Sequence, residues 1–213
     1  MYRRVVLAVF CIVSLSGMLE AADIKSGPQP GTKDNPKLLP GSFEILSVTP
    51  EKNAGRFHCP VSDFGLNPAV LIFTRSEPDA GNKALAMLLK ELEARILKHP
   101  EVQFNVCVVF LNDGGYREAL ENKSEDLPKA IEFKDQRQQK IKDFAKTVGI
   151  QQIALGIDSV AGPEQYDLNK DADWTVLICN RLEVKGNFAF AKELAEDVKP
   201  ILAQVDDLLP KKK

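Results

Sequence analysis

The chain has 213 residues, which is enough for one domain with a substantial core. Lys and Arg number 28 against 30 Asp and Glu, so the net charge at neutral pH is −2. This balance argues against a nucleic-acid partner, which would usually need a basic surface, and none is expected.

The N-terminal segment has the features of a secretory signal peptide. Residues 1–4 are basic, residues 5–19 are apolar without a charge, and Ala21 and Ala22 are the small residues that signal peptidase requires. The apolar run is shorter than the roughly 20 residues of a membrane-spanning helix. We predict cleavage after Ala21 or Ala22, with residues 1–21 as the signal peptide and a secreted or periplasmic location. An uncleaved N-terminal anchor is the alternative, and a membrane partner is expected only in that case.

Residues 22–41 form a segment rich in proline and glycine. Between Ser26 and Gly41 there are four prolines and three glycines, and almost no apolar residues. Such a segment buries too little surface to offset the entropy of ordering it. We predict a disordered linker, which would act as a spacer from a membrane if the N-terminal segment were retained as an anchor.

The first half of the domain alternates strands with a helix. Predicted strands span Phe43–Thr49, Ala69–Thr74 and Val102–Leu111, and the last two are apolar runs typical of strands buried on both faces. Between those two strands, leucine and isoleucine recur at helical spacing, which predicts a helix over Asn82–Lys98. His99-Pro100 ends this helix.

The second half of the chain adds two helices, a short strand and a hairpin. Pro200 interrupts the last helix, which predicts either a kink or a restart with Pro200 in the first turn. The predicted elements are a helix over residues 124–148, a strand over 153–157, hairpin strands over 174–179 and 182–190, and a helix from Leu194 to Leu209.

The order of these elements resembles that of the thioredoxin-like fold superfamily. The resemblance rests chiefly on Ala69–Thr74 (AVLIFT) as the strand that leads into the active-site helix, and on residues 174–190 (WTVLICNRLEVKGNFAF) as the closing hairpin. It implies an α/β fold, a three-layer α/β/α sandwich with a central mixed sheet of about five strands. The thioredoxin-like domain is expected to span residues 42–210, followed by a basic tail at 211–213.

Two departures from the superfamily's pattern concern its redox site. In thioredoxins and peroxiredoxins the reactive cysteine follows the first buried central strand, where the helix N-terminus lowers the pKa of the thiol. The corresponding segment here, Thr74–Asn82, contains no cysteine. The superfamily also places a cis-proline immediately before a later strand, where this chain has Asp173. The resemblance therefore implies a non-catalytic binding or structural module with no cofactor, whose expected kind of partner is another exported protein.

A second candidate redox site precedes the buried strand. Cys59 and Ser62 have the C-x-x-S spacing of the superfamily's monothiol variants, and an imidazolium such as that of His58 stabilises a neighbouring thiolate. Residues 63–68 separate this segment from the strand, so it is not at the superfamily's active position. We interpret Cys59 as structural or incidental. A monothiol redox or thiol-linking role for Cys59, His58 and Ser62 is the alternative.

The other cysteines of the mature chain, Cys107 and Cys179, lie inside apolar predicted strands, where cysteine packs as a small hydrophobic residue. The superfamily's strand order puts their strands on either side of Ala69–Thr74, roughly 9 to 10 Å apart. A disulfide between them would exceed the usual Cα separation limit of about 7 Å. Because the mature chain keeps an odd number of cysteines, at least one thiol is free or pairs with another molecule.

The sequence argues against a metal site. Asp167–Asp173 begins like a calcium-binding loop, but Ala172 replaces the glycine of the turn and Ile178 stands where the bidentate glutamate should be. We expect a solvated acidic loop there. The chain has only two histidines, His58 and His99, which argues against a histidine-based metal site or catalytic triad. No metal is therefore expected.

Overall fold

The computed structural model describes residues 24–192 and 194–210. The predicted signal peptide (1–21) and basic tail (211–213) lie outside these residues, so both stay predictions. No helix in the described part of the chain is long and apolar enough to cross a membrane. The described strands are β1 Ile45–Thr49, β2 Phe57–His58, β3 Ala69–Thr74, β4 Asn105–Leu111, β5 Ala154–Asp158, β6 Trp174–Asn180 and β7 Glu183–Phe190. The described α-helices are α1 Pro60–Phe64, α2 Lys83–Lys98, α3 Tyr116–Glu121, α4 Leu127–Val148 and α5 Val198–Asp206.

The described strands form one mixed sheet in the order β2-β1-β5-β4-β3-β6-β7. This sheet has seven strands, so the prediction of about five was wrong. At one edge, β1 runs antiparallel to β5 and β2 runs antiparallel to β1. The sequence predicted β1 as Phe43–Thr49 but did not predict β2. With only two residues, β2 is too short for an alternating pattern to reveal it in the sequence.

The central strand β3 is parallel to β4 and antiparallel to β6. Every residue of β3 is buried, which confirms the prediction of a strand covered on both faces. β4 is in turn parallel to β5, and parallel neighbours require crossover connections. The steps from β3 to β4 and from β4 to β5 go in the same direction along the sheet. Right-handed crossovers therefore place α2 and α4 on the same face.

Three helices cover this first face of the sheet. α5 packs beside α2, and Pro200 lies in the first turn of α5, after a 3-10 turn at Ala195–Asp197. The predicted restart of the last helix is thereby confirmed. The buried apolar residues that these helices contribute are Leu85, Leu88, Leu89 and Leu92 of α2, Ile141 and Phe144 of α4, and Ile201 and Val205 of α5.

The second face is covered mostly by chain that is not helical. Tyr166 belongs to a 3-10 turn in the connection from β5 to β6, and its ring packs against Phe43 and Phe73 with centroid distances of 4.9 and 5.4 Å. Short α1 contributes Val61 and Phe64 to the same cluster. The expected second helical layer is therefore reduced to one short helix and one turn, because the β5–β6 connection contains no longer helix and the N-terminal segment fills the space.

That N-terminal segment, residues 24–41, is docked on the domain, whereas composition predicted a disordered linker. The side chain of Ser26 is buried, and its Oγ lies 2.5 Å from Oγ1 of Thr175 in β6. Leu39 is buried as well, and its N–H donates to the carbonyl of Leu182 at 2.8 Å. Backbone hydrogen bonds and a few buried side chains thus hold this segment on the domain, although its composition is typical of a disordered linker.

Candidate functional site

The segment Thr74–Asn82 connects the carboxyl end of β3 to the N-terminus of α2. This is the position at which the resemblance places a reactive cysteine. The side-chain carbonyl of Asn82 accepts a hydrogen bond from the N–H of Leu85 at 3.1 Å and so caps α2. In place of a thiol, the segment carries the side chains of Arg75, Ser76, Glu77 and Asp79.

Arg75 ties this β3–α2 segment to the connection between β5 and β6. Its backbone N–H donates to the carbonyl of Asp173 at 2.9 Å. Its guanidinium donates to the carbonyls of Val160 and Asn169, the latter at 3.3 Å. Burial lowers the pKa of Arg75, and the nearby carboxylates of Asp173 and Asp171 oppose that shift. These hydrogen bonds therefore join the two connections at the carboxyl end of β3.

Glu77 ties the same segment to α4. One carboxylate oxygen, Oε1, accepts a hydrogen bond from Nη1 of Arg137 at 2.5 Å, and Oε2 lies 3.9 Å from Nζ of Lys140. The Arg137 side chain is 3% exposed, whereas that of Glu77 is 58% exposed. The ion pair thus joins a buried cation to a carboxylate at the surface.

A cleft of about 710 Å³ opens beside this segment. Glu77, Asp79 and Asp173 contribute carboxylates to its lining. Lys83, in the first turn of α2, and Lys192, after β7, contribute cations. Leu194 gives it an apolar wall, and that side chain is 43% exposed. The lining contains donors, acceptors and apolar surface but no thiol, so the cleft can bind a ligand without performing thiol chemistry.

The residue that precedes β6 is Asp173, and its N–H donates to the carbonyl of Phe190 in β7 at 2.8 Å. In the described residues the cis peptide bond is Thr49–Pro50, which follows β1. The position that the superfamily gives to its cis-proline is therefore occupied here by an aspartate that pairs with the hairpin.

Cys59 lies on the other face of the sheet. It occupies the N-cap position of α1, is half-buried and packs against the apolar cluster that contains Cys107, whereas α2 packs on the first face. Nε2 of His58 lies 2.7 Å from Oδ2 of Asp63, and Ser62 is exposed. The structure thus pairs His58 with Asp63, and it leaves Ser62 more exposed than Cys59.

Cys107 and Cys179 are buried free thiols on the strands that flank β3. Cys107 lies opposite Leu71 of β3, and Cys179 lies opposite Ala69. This placement confirms the predicted strand order. Burial raises the pKa of Cys179 to about 12 and that of Cys107 still further, so neither thiol ionises readily.

The acidic connection Asp167–Asp173 is held by hydrogen bonds to its own chain and to the N-terminal segment. Oδ1 of Asn169 accepts from the N–H of Asp171 at 2.9 Å, and the carbonyl of Asp167 accepts from the N–H of Gly27 at 3.1 Å. Among the residues that the structure describes, no group of three or more His, Cys, Asp or Glu side chains is placed to hold a metal ion.

Sequence reasoning missed Arg137. It lies on the apolar stripe of α4, four residues before Ile141 and seven before Phe144, where a charged side chain is unexpected. A cation at a core-facing position of a predicted helix is the signal that could have found it, because buried charges are rare unless they are paired or functional.

No family model matches the chain, and no curated protein matches it. Solved structures do match. A proposed protein disulfide isomerase from Bacteroides thetaiotaomicron is 18% identical with a TM-score of 0.53, over 87% of this chain and 94% of that one. Peroxidoxin BcpB from Mycobacterium tuberculosis and a proposed thiol:disulfide interchange protein DsbE from Chlorobium tepidum are each 13% identical with a TM-score of 0.50, over 88% of this chain and 99% of theirs. At this identity the likeness concerns the fold, and this chain has a thioredoxin-like fold.

Proposed function

We propose that the protein is an exported thioredoxin-like domain that acts as a non-catalytic binding or structural module. One observation carries the proposal: the segment Thr74–Asn82 holds the superfamily's active position but contains no cysteine. Thiol–disulfide exchange requires a thiolate that attacks a disulfide sulfur and forms a mixed disulfide. Without a sulfur atom at the start of α2, that reaction cannot take place there.

The cleft at the same place supports binding. Its volume of about 710 Å³ lies within the usual range for ligand sites, and its lining combines three carboxylates, two lysines and an exposed leucine. The hydrogen bonds of Arg75 hold the segment Thr74–Asn82 against the β5–β6 connection, so the cleft is formed without a ligand. Another exported protein is the kind of partner that we propose. Export itself rests on the signal-peptide pattern of residues 1–21.

A monothiol redox or thiol-linking role for Cys59 is the second candidate. Its support is the exposure of Cys59: among the cysteines of the described residues, Cys59 is half-buried, whereas Cys107 and Cys179 are fully buried. The contacts of its neighbours favour the first candidate. His58 is engaged by Asp63, and Ser62 is exposed while Cys59 packs against the core.

A disulfide-reduction assay tests the proposal. The chain from residue 22 onward is incubated with a disulfide-bonded protein substrate and either dithiothreitol or a thioredoxin-reductase system, and turnover is compared with a sample lacking the protein. We expect no turnover above that background. Any turnover above background in the wild-type protein would overturn the non-catalytic proposal. If that turnover is lost in Cys59→Ser, the monothiol role would be established.

A further inference from the structure

Arg137 of α4 has a guanidinium that is buried but only partly hydrogen-bonded. Its side chain is 3% exposed, and Nη1 donates to Oε1 of Glu77. Nε and Nη2 have no hydrogen-bond acceptor among the described residues. A guanidinium has five N–H donors in a planar fork that matches the two oxygens of a carboxylate. The single oxygen of Glu77 therefore accepts from only one of the guanidinium nitrogens.

Such a group calls for a further acceptor. Buried polar atoms in folded proteins almost always have a partner, and an unpaired buried cation is especially unfavourable. In the described residues Arg137 meets one carboxylate oxygen, while the other oxygen of Glu77 faces Lys140 at 3.9 Å. Arg137 could therefore hold a carboxylate more completely than it holds Glu77, by donating to both oxygens through two parallel hydrogen bonds.

Glu77 links Arg137 to the cleft: it accepts from Nη1 of Arg137, and it lines the cleft whereas Arg137 does not. Its carboxylate is 58% exposed and belongs to the lining of the cleft, next to the first turn of α2. If Glu77 turns away from Arg137, Lys140 is already within 3.9 Å of Oε2 and is itself 65% exposed. The carboxylate can thus leave the buried cation without losing every charged partner.

We propose that Arg137 is the base of an anion site that takes a carboxylate from outside, in exchange for the carboxylate of Glu77. The proposal deepens the binding function proposed above and rests on it. The ligand is a singly charged carboxylate, either a small carboxylic acid or the carboxylate of a partner polypeptide. A doubly charged phosphate is disfavoured because the cleft lining has three carboxylates against two lysines, Lys83 and Lys192, and so remains net negative.

The protein contains a natural reporter for this exchange. Trp174 is its only tryptophan, is fully buried and pairs with Thr74, three residues before Glu77. A single indole N–H resonance in a ¹H–¹⁵N spectrum therefore follows the start of the β3–α2 segment, even when binding is weak.

The test is a titration of the chain from residue 22 onward with sodium acetate, at constant ionic strength set with sodium chloride, followed by that indole resonance. We expect saturable shifts, and an apparent dissociation constant about tenfold lower in Glu77→Gln, because the resident carboxylate no longer occupies Arg137. Asp79→Asn is the matched control. It removes another carboxylate of the same cleft and keeps the acceptor for the N–H of Gly81, so we expect a much smaller change.

Arg137→Gln is expected to abolish acetate binding, including when combined with Glu77→Gln. If Arg137→Gln does not fold, the comparison of Glu77→Gln with Asp79→Asn decides alone. Absence of saturation in Glu77→Gln, or an equal gain in Asp79→Asn, would overturn the anion site. Neither result would restore thiol chemistry, so the non-catalytic proposal would stand or fall by its own assay.

A second pair of ligands identifies the source of the carboxylate. Acetyl-pentaalanine with a free C-terminus and the same peptide with a C-terminal amide are titrated into wild-type protein and Glu77→Gln. Tighter binding of the free acid than of acetate, lost in the amide, assigns the site to a polypeptide carboxylate. Binding of acetate without binding of the peptide assigns it to a small acid. Equal binding of both peptides would overturn recognition of the carboxylate.

Discussion

The carboxylate of Glu93 in α2 holds the backbone at Gln152, just before β5. The N–H of Gln152 lies 2.9 Å from Oε1 and 3.2 Å from Oε2, and the N–H of Gln151 donates to Oε1 at 3.0 Å. Glu93 is 7% exposed, so these hydrogen bonds are shielded from solvent. They attach the helix on the first face to the start of a strand two positions away from β3 in the sheet.

Replacing Glu93 by alanine leaves two backbone N–H groups without their acceptor. We expect Glu93→Ala to lower the free energy of unfolding by about 2–3 kcal/mol, measured by urea denaturation. Lys90→Ala, at an exposed position of the same helix, is the matched control and should change that free energy by less than about 0.5 kcal/mol. Similar values for the two variants would mean that water replaces the carboxylate at little cost.

Asp158 at the end of β5 predicts a dependence of stability on pH. It is 5% exposed and accepts from the N–H of Ser159 at 2.8 Å and from Nη2 of Arg117 at 3.3 Å. Burial raises the pKa of Asp158, and the Asp113 carboxylate adds to the rise. Between the unfolded-state pKa and this raised pKa, the folded protein therefore keeps the proton on Asp158 whereas the unfolded chain has lost it. The free energy of unfolding consequently falls as the pH rises from about 3.9 through the raised pKa, and then levels off.

Asp158→Asn keeps an acceptor but removes the titrating group. In urea denaturation between about pH 3 and pH 8, we expect this variant to lack the fall that the wild type shows. The effect of Asp206 on stability has the opposite sign, because the hydrogen bond from Arg95 lowers the pKa of Asp206 and stabilises the fold at neutral pH. Asp206→Asn should therefore lower the free energy of unfolding at neutral pH. Its loss at neutral pH should stay below about 1 kcal/mol, since Asp206 is half exposed. Parallel profiles for wild type and Asp158→Asn would contradict the raised pKa.

The docked N-terminal segment gives a third prediction. Oγ of Ser26 lies 2.5 Å from Oγ1 of Thr175 and accepts from the N–H of Asn169 at 2.9 Å. We expect Ser26→Ala to lower the free energy of unfolding by about 1–2 kcal/mol, because the buried partners lose their hydrogen bonds. Ser42→Ala makes the same change at an exposed site of the same chain segment and should have little effect. Equal stability of the two variants would show that Ser26 does not anchor the segment.

Much of the fold could be predicted because its central elements have strong local patterns. The apolar run of β3 and the leucine stripe of α2 match the structure to within one residue at either end. Three small elements had no such pattern, and one of them, α1, has only five residues. β2 has two residues, and α3 begins after Gly115, which has a positive φ of 76° and separates the helix from the preceding strand without a polar N-cap.

The docking of residues 24–41 could not be predicted, because it depends on contacts with distant parts of the chain. Its composition includes few apolar residues, but the backbone of Leu39 pairs with Leu182, and the hydroxyl of Ser26 lies beside a hydroxyl 149 positions away. The absence of a thiol after β3 could be read directly from the sequence. The ion pair between Glu77 and Arg137 could not be predicted, since the two residues are 60 positions apart in the sequence.

The last prediction concerns the reactivity of the three cysteines in the described residues, and it separates the two proposed functions. Cys107 and Cys179 are buried in β4 and β6, where an alkylating reagent has no access. Burial also raises the pKa of both thiols, to about 12 for Cys179, so the reactive thiolate is scarce at neutral pH. Cys59 is half-buried at the start of α1 and should therefore react first.

The measurement is the rate of iodoacetamide labelling at each cysteine of the native protein, by peptide mass spectrometry between about pH 5 and pH 9. We expect Cys59 to be labelled at least about tenfold faster than Cys107 or Cys179, and urea to abolish the difference. A Cys59 rate that keeps rising to pH 9 supports the binding module, because an ordinary thiol ionises near 8.5. A rate that reaches a plateau well below pH 8, and that changes in Asp63→Ala, which removes the hydrogen bond to His58, would favour the monothiol role. Faster labelling of Cys107 or Cys179 would contradict their burial in strands beside β3, and with it the arrangement of the sheet.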